Sequence, residues 1–473
     1  ANVTAHIESE ATYTSNDRVP FWMFANKYGS IPLPGASISL LASAHKDYNK
    51  YRSHISGTEE GDFFDWGFSI NGRANIGEET DFILIEAYAK LKLGVFQLKG
   101  GRSKEVMGLV DTTLTSGAFS ISGNSLGIPK VELSIPDFYA LPLWDGLFAF
   151  KGNFAQGWLG EIPVQISTSP PVVETYFHQK SLYGRLGKPW WRLKLYAGSN
   201  HQVFYGNAET ILGPKVHLTG REEYRYAVTG STFSTKGIAS SKIGNHLGSL
   251  DVGLDYEMDH VKLFVYRQNF YDVGALNYLA NIADGLNGIS LTNKKESVSD
   301  FHWKKLLFEF LYSKNQAGEL GSKYTPSGDE DYYNSYIYSE GWSYKGLALG
   351  NPLFTTREAA KPGQASHSAD YFINNRIVAG HLGLEAEYKD WHIVSKLSYS
   401  ANYGTFGTTL GKMTLGERFP PQGHFEKVSQ FSAYLEAGKT TYSGWDLGFV
   451  LALDQGELYD NSVGMQVKVG RSF

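Results

Sequence analysis

The amino-acid sequence predicts an all-β fold, a transmembrane antiparallel β-barrel of about 16 to 18 strands, with 18 preferred. Segments of about ten residues alternate apolar and polar side chains, which is the period of a β-strand and the length of a tilted membrane strand. Very short turns between these segments contrast with much longer excursions, such as residues 314–370 and 401–427. Short turns at one end and long loops at the other are typical of outer-membrane barrels.

The final segment, residues 463–473, shows this alternation clearly. Its odd positions are mostly apolar, and its even positions are small or polar. It ends on Phe473, which resembles the terminal Phe that serves as an assembly signal in bacterial outer-membrane barrels. Arg471 departs from the apolar pattern, so we expect its charge to lie at the membrane interface with its stem along apolar surface. An edge strand of a soluble sandwich is the alternative interpretation of this segment alone.

The composition fits a barrel and excludes several classes of protein. Aromatic residues make up 14% of the chain and Gly reaches 52 residues, a mixture suited to aromatic girdles, strands and turns. The net charge of −5 indicates no highly charged partner, and we predict no nucleic-acid binding. The absence of Cys excludes disulfide bonds and thiolate metal sites. No run approaches the ~20 apolar residues of a spanning helix, so we expect the chain to cross a membrane as strands.

The first 35 residues do not alternate cleanly. The chain opens at Ala1 without a basic-then-apolar leader, as expected of a mature form after removal of a signal peptide. Residues 19–29 form a dense aromatic segment, for which an ordinary loop at the edge of a core is an alternative. We therefore interpret residues 1–35 as an N-terminal plug segment packed into the periplasmic end, and residues 36–473 as the barrel with its long extracellular loops.

A second interruption lies at residues 116–144. This segment carries Pro129, Pro136 and Pro142. Since proline cannot donate a hydrogen bond to a strand ladder, these residues block a regular central strand. We expect the segment to lie inside the lumen or across one mouth of the barrel.

Charged residues indicate which strand face is wet. In the hairpin at residues 250–266, apolar positions alternate with Asp251, Gly253 and Asp255. Acids on the second face fit a watered lumen better than a dry sandwich core. Together with Arg192 and Lys194, these acids motivate one functional hypothesis, a diffusion channel for small solutes.

A long loop carries the sharpest candidate site. The acidic run at residues 329–331 lacks the alternating spacing of a calcium loop, so we predict a solvated acidic cluster and no metal site. Six aromatic residues follow it among polar neighbours, and their rings could stack on sugar faces. The alternative is that they fill the barrel mouth or lie in the headgroup layer. The six residues are Tyr332, Tyr333, Tyr336, Tyr338, Trp342 and Tyr344.

No enzyme motif stands out. The sequence has no Gly-x-Ser-x-Gly elbow, no His-Glu-x-x-His helix and no P-loop, and its 13 His residues are scattered singly. We predict a protein that is not an enzyme and that needs no cofactor. His178, in a predicted strand, is interpreted as a hydrogen-bonded lumen residue.

Several segments resist a simple strand interpretation. They are residues 21–29, 116–137, 151–152 and 178–182, and their distinctive residues are Phe21, Trp22, Asn26, Tyr28, Gly29, Ser122, Gly123, Asn124, Pro129, Pro136 and Asp137. Together they resemble the capsule assembly (Wzi-like) family as it occurs in Bacteroidetes. The resemblance implies an outer-membrane barrel of about eighteen strands with an obstructed lumen. It also implies a surface lectin that helps to anchor capsular polysaccharide.

Three functions remain open from the sequence. The first is a non-enzymatic barrel that binds or anchors capsular or other surface polysaccharide. The second is the diffusion channel, and the third is a structural subunit of a larger outer-membrane complex, with other outer-membrane proteins as partners. Each places the protein among the lipids of a bacterial outer membrane, after assembly by the barrel-assembly machinery.

Overall fold

The computed structural model describes residues 2–52, 59–78, 80–166, 170–235, 238–272, 274–295, 299–318, 328–409 and 423–473. In these residues, 18 strands form one antiparallel sheet in which each strand pairs with the next and the last pairs with the first. The sheet is therefore a closed barrel, and the predicted fold class and the preferred strand number are confirmed.

The barrel strands follow chain order. They are β1 (Thr4–Thr14), β2 (Ser37–Lys46), β3 (Phe64–Ile76), β4 (Thr80–Leu93), β5 (Phe96–Arg102), β6 (Lys130–Ala140), β7 (Phe148–Pro163), β8 (Val172–Leu186), β9 (Leu193–Tyr205), β10 (Asn245–Glu257), β11 (Val261–Tyr271), β12 (Gly285–Asn293), β13 (Phe301–Tyr312), β14 (Ile377–Tyr388), β15 (Trp391–Asn402), β16 (Val428–Thr440), β17 (Trp445–Gly456) and β18 (Ser462–Ser472).

Short elements lie in the connections. The helices are α1 (Phe21–Phe24), α2 (Ala208–Leu212) and α3 (Gly220–Thr229). Two-stranded ribbons pair Lys50–Arg52 with Glu59–Gly61, Thr232–Thr235 with Ile238–Lys242, Ser343–Tyr344 with Leu347–Ala348, and Thr355–Thr356 with Phe372–Asn374. None of the helices in the described part of the chain has the length and apolar character needed to cross a membrane.

Along the wall strands, apolar side chains mostly face outward and polar side chains mostly face the lumen, as the alternation predicts. On β18, Val467 points outward and is 53% exposed, whereas the neighbouring Gln466 points into the lumen and is 5% exposed. At the seam, Ala5 and Phe473 exchange two backbone hydrogen bonds of 3.1 and 2.8 Å. Arg471 faces outward beside them, with its guanidinium carbon 5.5 Å from the centre of the Trp445 ring. The proposed role of Phe473 in assembly stays a prediction.

The two ends of the barrel differ in their connections. Residues 15–36, 103–129, 206–244, 313–376 and 403–427 all connect strands at one end, which we call the loop end. The opposite end, the turn end, carries both chain termini and tight turns at residues 94–95, 258–260 and 389–390. This is the asymmetry that the sequence predicts, with one exception, the longer turn-end connection at residues 47–63.

The boundary predicted at residues 35 and 36 is wrong for residues 4–14, because this stretch is strand β1 of the wall. It pairs with β2 and β18, and its inward side chains include the buried Glu10 and Thr12. Its outward positions include Ser and Ala, which weaken the apolar signal. Residues 15–36 do enter the lumen, but from the loop end, so their predicted position at the end of short turns is also wrong.

The second predicted interruption is also shorter than expected. Residues 116–129 enter the lumen, but Lys130–Ala140 form strand β6. Pro136 is tolerated because the pairing of β6 with β7 shifts register between Ile135 and Tyr139, so no ladder donor is needed there.

Candidate functional site

The lumen is filled from the loop end by three segments, residues 15–36, 103–129 and 328–376, which we call the plug. Apolar side chains of the plug and of the inner wall form one continuous hydrophobic cluster. The core of this protein therefore lies inside the barrel. The plug members of this cluster include Trp22, Phe119 and Trp342, and the wall members include Phe177, Phe204 and Phe270.

Stacked rings join the plug to the wall. The rings of Phe119 and Phe270 lie 4.0 Å apart between centroids and nearly parallel, and those of Trp342 and Phe204 lie 4.3 Å apart. The indole Nε1–H of Trp342 donates a 2.8 Å hydrogen bond to the carbonyl oxygen of Ser120. One tryptophan thus ties two plug segments to strand β9.

The residues of the first two plug segments that carry the family resemblance contact each other. The backbone N–H of Tyr28 donates to the carbonyl of Gly123 at 2.8 Å, and that of Gly29 donates to the carbonyl of Asn124 at 3.0 Å. The backbone N–H of Asn26 donates to Oδ1 of Asn124 at 3.1 Å. Gly123 has φ +77°, and a Cβ there would lie 2.6 Å from the Tyr28 ring. These residues hold two segments of the plug together, and Ser122 contributes a hydroxyl bond to the carbonyl of Gly350.

Helix α1 attaches the first plug segment to the wall. The backbone N–H of Phe21 donates to the Asp454 carboxylate at 2.7 Å, and the indole of Trp22 donates to the Ser398 hydroxyl at 3.2 Å. The remaining motif residues do not join this contact. Pro129 ends the second plug segment, and Pro136 and Asp137 are exposed on β6.

Wall carboxylates also bind the plug, although the sequence predicts that acids here meet water. Glu309 on β13 accepts three hydrogen bonds of 2.6 Å, from the Thr115 hydroxyl, the Ser116 backbone N–H and the Tyr266 hydroxyl. Asp251 accepts from the backbone N–H of Leu109 at 2.9 Å. Sequence reasoning missed Glu309, although an acid between two outward phenylalanines signals a lumen-facing anchor.

The structure contradicts the sugar-stacking interpretation for five of the six aromatic loop residues. Only Tyr336 is exposed, at 56%. The other five rings are buried in the plug, so none of those five has a face open to a sugar. The alternative, that the rings fill the barrel mouth, describes them. The buried five are Tyr332, Tyr333, Tyr338, Trp342 and Tyr344.

The acidic run before these rings is not the solvated cluster that the sequence predicts. Glu330 is buried and accepts a 2.9 Å hydrogen bond from the backbone N–H of Ala275. Asp331 accepts from the side-chain amides of Asn334 and Asn375 at 3.0 and 2.7 Å. These carboxylates therefore stabilise the loop by accepting hydrogen bonds from its own and neighbouring amide groups.

Asp284 gives the plug a predicted pH dependence. Its buried carboxylate accepts from the Tyr332 hydroxyl at 2.7 Å and from the backbone N–H groups of Asn315 and Gln316. Burial raises the pKa of Asp284 from its ordinary 3.8 to about 6, since the three hydrogen bonds offset only part of the desolvation. The folded state therefore holds this proton more tightly than the unfolded state. The stability contributed by this group is complete below pH 3.8 and is lost as the pH rises to about 6.

We expect plug stability to fall by on the order of 3 kcal/mol across this range. The measurement is hydrogen exchange of residues 328–354 from pH 4 to pH 8, corrected for intrinsic exchange. The Asp284→Asn variant should show a shallower profile, in which the remaining slope comes from groups such as Asp331, whose pKa burial raises to about 7. An equally steep profile in that variant would assign the effect to another group.

A polar cavity remains beside the plug. It has a volume of about 210 Å³ and lies between the first plug segment and strands β1 to β4 and β16 to β18. Arg73 and Glu10 form a 2.6 Å ion pair in its wall, and Lys468 and Glu436 form one of 2.7 Å nearby. Lys27 and Lys104 also line it.

Comparisons with known proteins identify the fold. No family model and no curated protein matches the chain. Wzi of Escherichia coli, an outer-membrane protein involved in group 1 capsule assembly and a carbohydrate-binding β-barrel, is a similar solved structure. It aligns with a TM-score of 0.53 at 12% identity, over 98% of this chain and 83% of that chain. The fold is that of an outer-membrane β-barrel.

Two other solved structures align over the whole of this chain. They are OccAB2 of Acinetobacter baumannii, with a TM-score of 0.46 at 11% identity, and OpdK of Pseudomonas aeruginosa with vanillate, with a TM-score of 0.45 at 9% identity. Each alignment covers 98% of the other protein's chain.

Proposed function

We propose that the protein is a non-enzymatic barrel of a bacterial outer membrane that binds surface polysaccharide at its loop end. The observation that carries this proposal is the plug, because a lumen filled with stacked and hydrogen-bonded side chains leaves the outer surface of the loops as the place to bind a large polymer. The carbohydrate binding of the Wzi barrel, which shares this fold, supports the proposal.

The exposed surface of the third plug segment offers suitable chemistry. Tyr336 presents an open ring, and Glu340 lies four residues further along the same loop. Burial, and then the negative charge of Glu358, raises the pKa of Glu340. Burial, and then the charges of Glu358 and Glu340, raises the pKa of Tyr371. The three side chains therefore interact electrostatically with one another. Arg18 adds a cation beside Glu358. Sugar recognition uses flat rings together with hydrogen-bond acceptors and donors, and the exposed surface of this segment carries all three.

Replacing Tyr336 with alanine is expected to weaken polysaccharide binding up to about tenfold, because one stacking platform is lost. The measurement is titration of surface polysaccharide from the source bacterium into the purified, folded barrel. The matched control is Tyr442→Ala, since Tyr442 is also exposed but lies at the turn end. Unchanged binding by a folded Tyr336→Ala variant would remove Tyr336 from the site.

The polar cavity favours a second candidate function, a narrow channel. Its lining of paired charges is suited to water and ions. Planar-bilayer recording separates the two functions, and we expect no steady current because the plug packs against the wall. A stable open conductance would favour the channel. A role as subunit of a larger complex stays a prediction, which gentle extraction and mass measurement would test.

A further inference from the structure

An arginine faces outward from the barrel wall near the loop end. Arg267 lies on β11 between Tyr266 and Gln268, which are buried on the lumen side, so its own side chain projects from the outer face. It is directly paired with Val252 on β10 and with Asn287 on β12. It lies four residues before Tyr271, the loop-end terminus of its strand.

The guanidinium is held by neutral groups. Its Nε–H donates to Oδ1 of Asn269 at 2.8 Å and an Nη1–H donates to Oδ1 of Asn287 at 2.7 Å. Nη2 donates to the carbonyls of Ile282 at 2.5 Å and Asp284 at 3.1 Å. The carboxylate of Asp284 points into the plug, where Tyr332 binds it. The arginine therefore forms no direct ion pair with a described carboxylate, although the charge of the Asp284 carboxylate acts on it from within the plug. One N–H on Nη1 makes no hydrogen bond to a described residue.

This charge lies within an apolar surface. A groove of about 400 Å³ runs along the outer wall at its base, lined by Val252, Leu254, Val265, Ile289, Phe308 and Phe310. On the other side of Arg267, Leu279 and Ile282 in the connection 272–284 are exposed apolar residues. An arginine among lipid-facing groups is unfavourable unless an anion reaches it.

The backbone makes room for this arrangement. Gly285 begins β12 with φ +159°, and a Cβ there would lie 3.3 Å from Cζ of Arg267. The amide donors of Asn269 and Asn287 are occupied by the carbonyls of Leu250 and Phe310, so both Oδ1 atoms are turned toward the guanidinium. The cluster is thus pre-organised around one cation with an apolar groove beneath it.

We propose that this outer face is a binding site for a phosphorylated, acylated glycolipid of the outer leaflet. One acyl chain lies in the groove, and a phosphate meets the guanidinium of Arg267. The position near the loop end selects the outer leaflet, and the arginine with its remaining Nη1 N–H selects a phosphate, the anion that arginine binds well. This inference rests on the proposed location in an outer membrane, and it is independent of polysaccharide binding.

The test measures lipid retained by the full-length barrel after extraction from outer membranes in mild detergent, by native mass spectrometry with fatty-acid and phosphate analysis. We expect the native barrel to retain the glycolipid, Arg267→Gln to retain about tenfold less, and Val265→Trp, which fills the groove and keeps the arginine, to lose it similarly. The control Arg471→Gln removes an outward arginine at the turn end and should retain native amounts.

Equal retention by the native barrel and both groove variants would overturn the site. The site would also be overturned if the groove retained a glycerophospholipid or a protein subunit in place of the glycolipid. If Arg267 serves only to hold the connection 272–284, Arg267→Gln will speed hydrogen exchange there and Val265→Trp will leave lipid unchanged, which also overturns the site. Absence of the chain from outer membranes would instead overturn the proposed location.

Discussion

Truncating Trp342 to alanine is expected to destabilise the plug by about 3–5 kcal/mol. The indole is fully buried, stacks on Phe204 at 4.3 Å and donates to the carbonyl of Ser120. The variant leaves a large cavity and an unpaired carbonyl in the same place. Hydrogen exchange of residues 103–129 and 328–354 should rise together, while exchange in the wall strands stays native.

The matched control is Trp190→Ala. Trp190 is an exposed tryptophan in the turn-end connection between β8 and β9, so its loss should leave plug exchange unchanged. Planar-bilayer recording adds a functional measurement, because a loosened plug should admit transient currents that the native barrel lacks. Native exchange and silent recordings from Trp342→Ala would show that the plug does not depend on this contact.

The second large effect is expected at Glu309. Replacing it with alanine leaves the Thr115 hydroxyl, the Ser116 backbone N–H and the Tyr266 hydroxyl without their common acceptor. Each buried donor without a partner costs about 1–3 kcal/mol, so we expect a loss of about 3 kcal/mol or more in plug stability. Limited proteolysis of residues 103–129 in the folded barrel measures it.

The control for this variant is Glu387→Ala on the neighbouring strand. Glu387 is an exposed partner of Lys304 at 3.0 Å, and such surface pairs contribute about 0–1 kcal/mol. A Glu309→Ala barrel as resistant to protease as the control would mean that the second plug segment is held by its apolar contacts alone.

Much of the wall could be predicted from local sequence, because a strand in a barrel sees lipid on one face and the lumen on the other. That difference shows directly in the hairpin of β10 and β11, where Asp251 and Asp255 alternate with apolar residues. The pattern failed where one face was weakly marked or a bulge intervened. Strand β1 has small residues at outward positions, and β6 contains Pro136 at a register shift.

The candidate site could not be predicted in the same way. Tyr332, Tyr333 and Trp342 stand among polar residues in a long loop, which is also how an exposed aromatic patch would look. Their burial depends on Phe119, Phe204 and Phe270, which are distant in the chain. Arg267 illustrates the reverse case, since only the strand register shows that this arginine faces outward and lies beside an apolar groove.

The sequence by itself determined that this chain forms a β-barrel with short turns at one end and long loops at the other, because alternation and turn length are local properties. Only the tertiary structure decided that the loops fold back into the lumen, that the aromatic segment is core, and that Tyr336 alone of six predicted rings stays exposed. The physical reason is that burial belongs to a set of contacts between distant segments. No window of neighbouring residues contains those contacts.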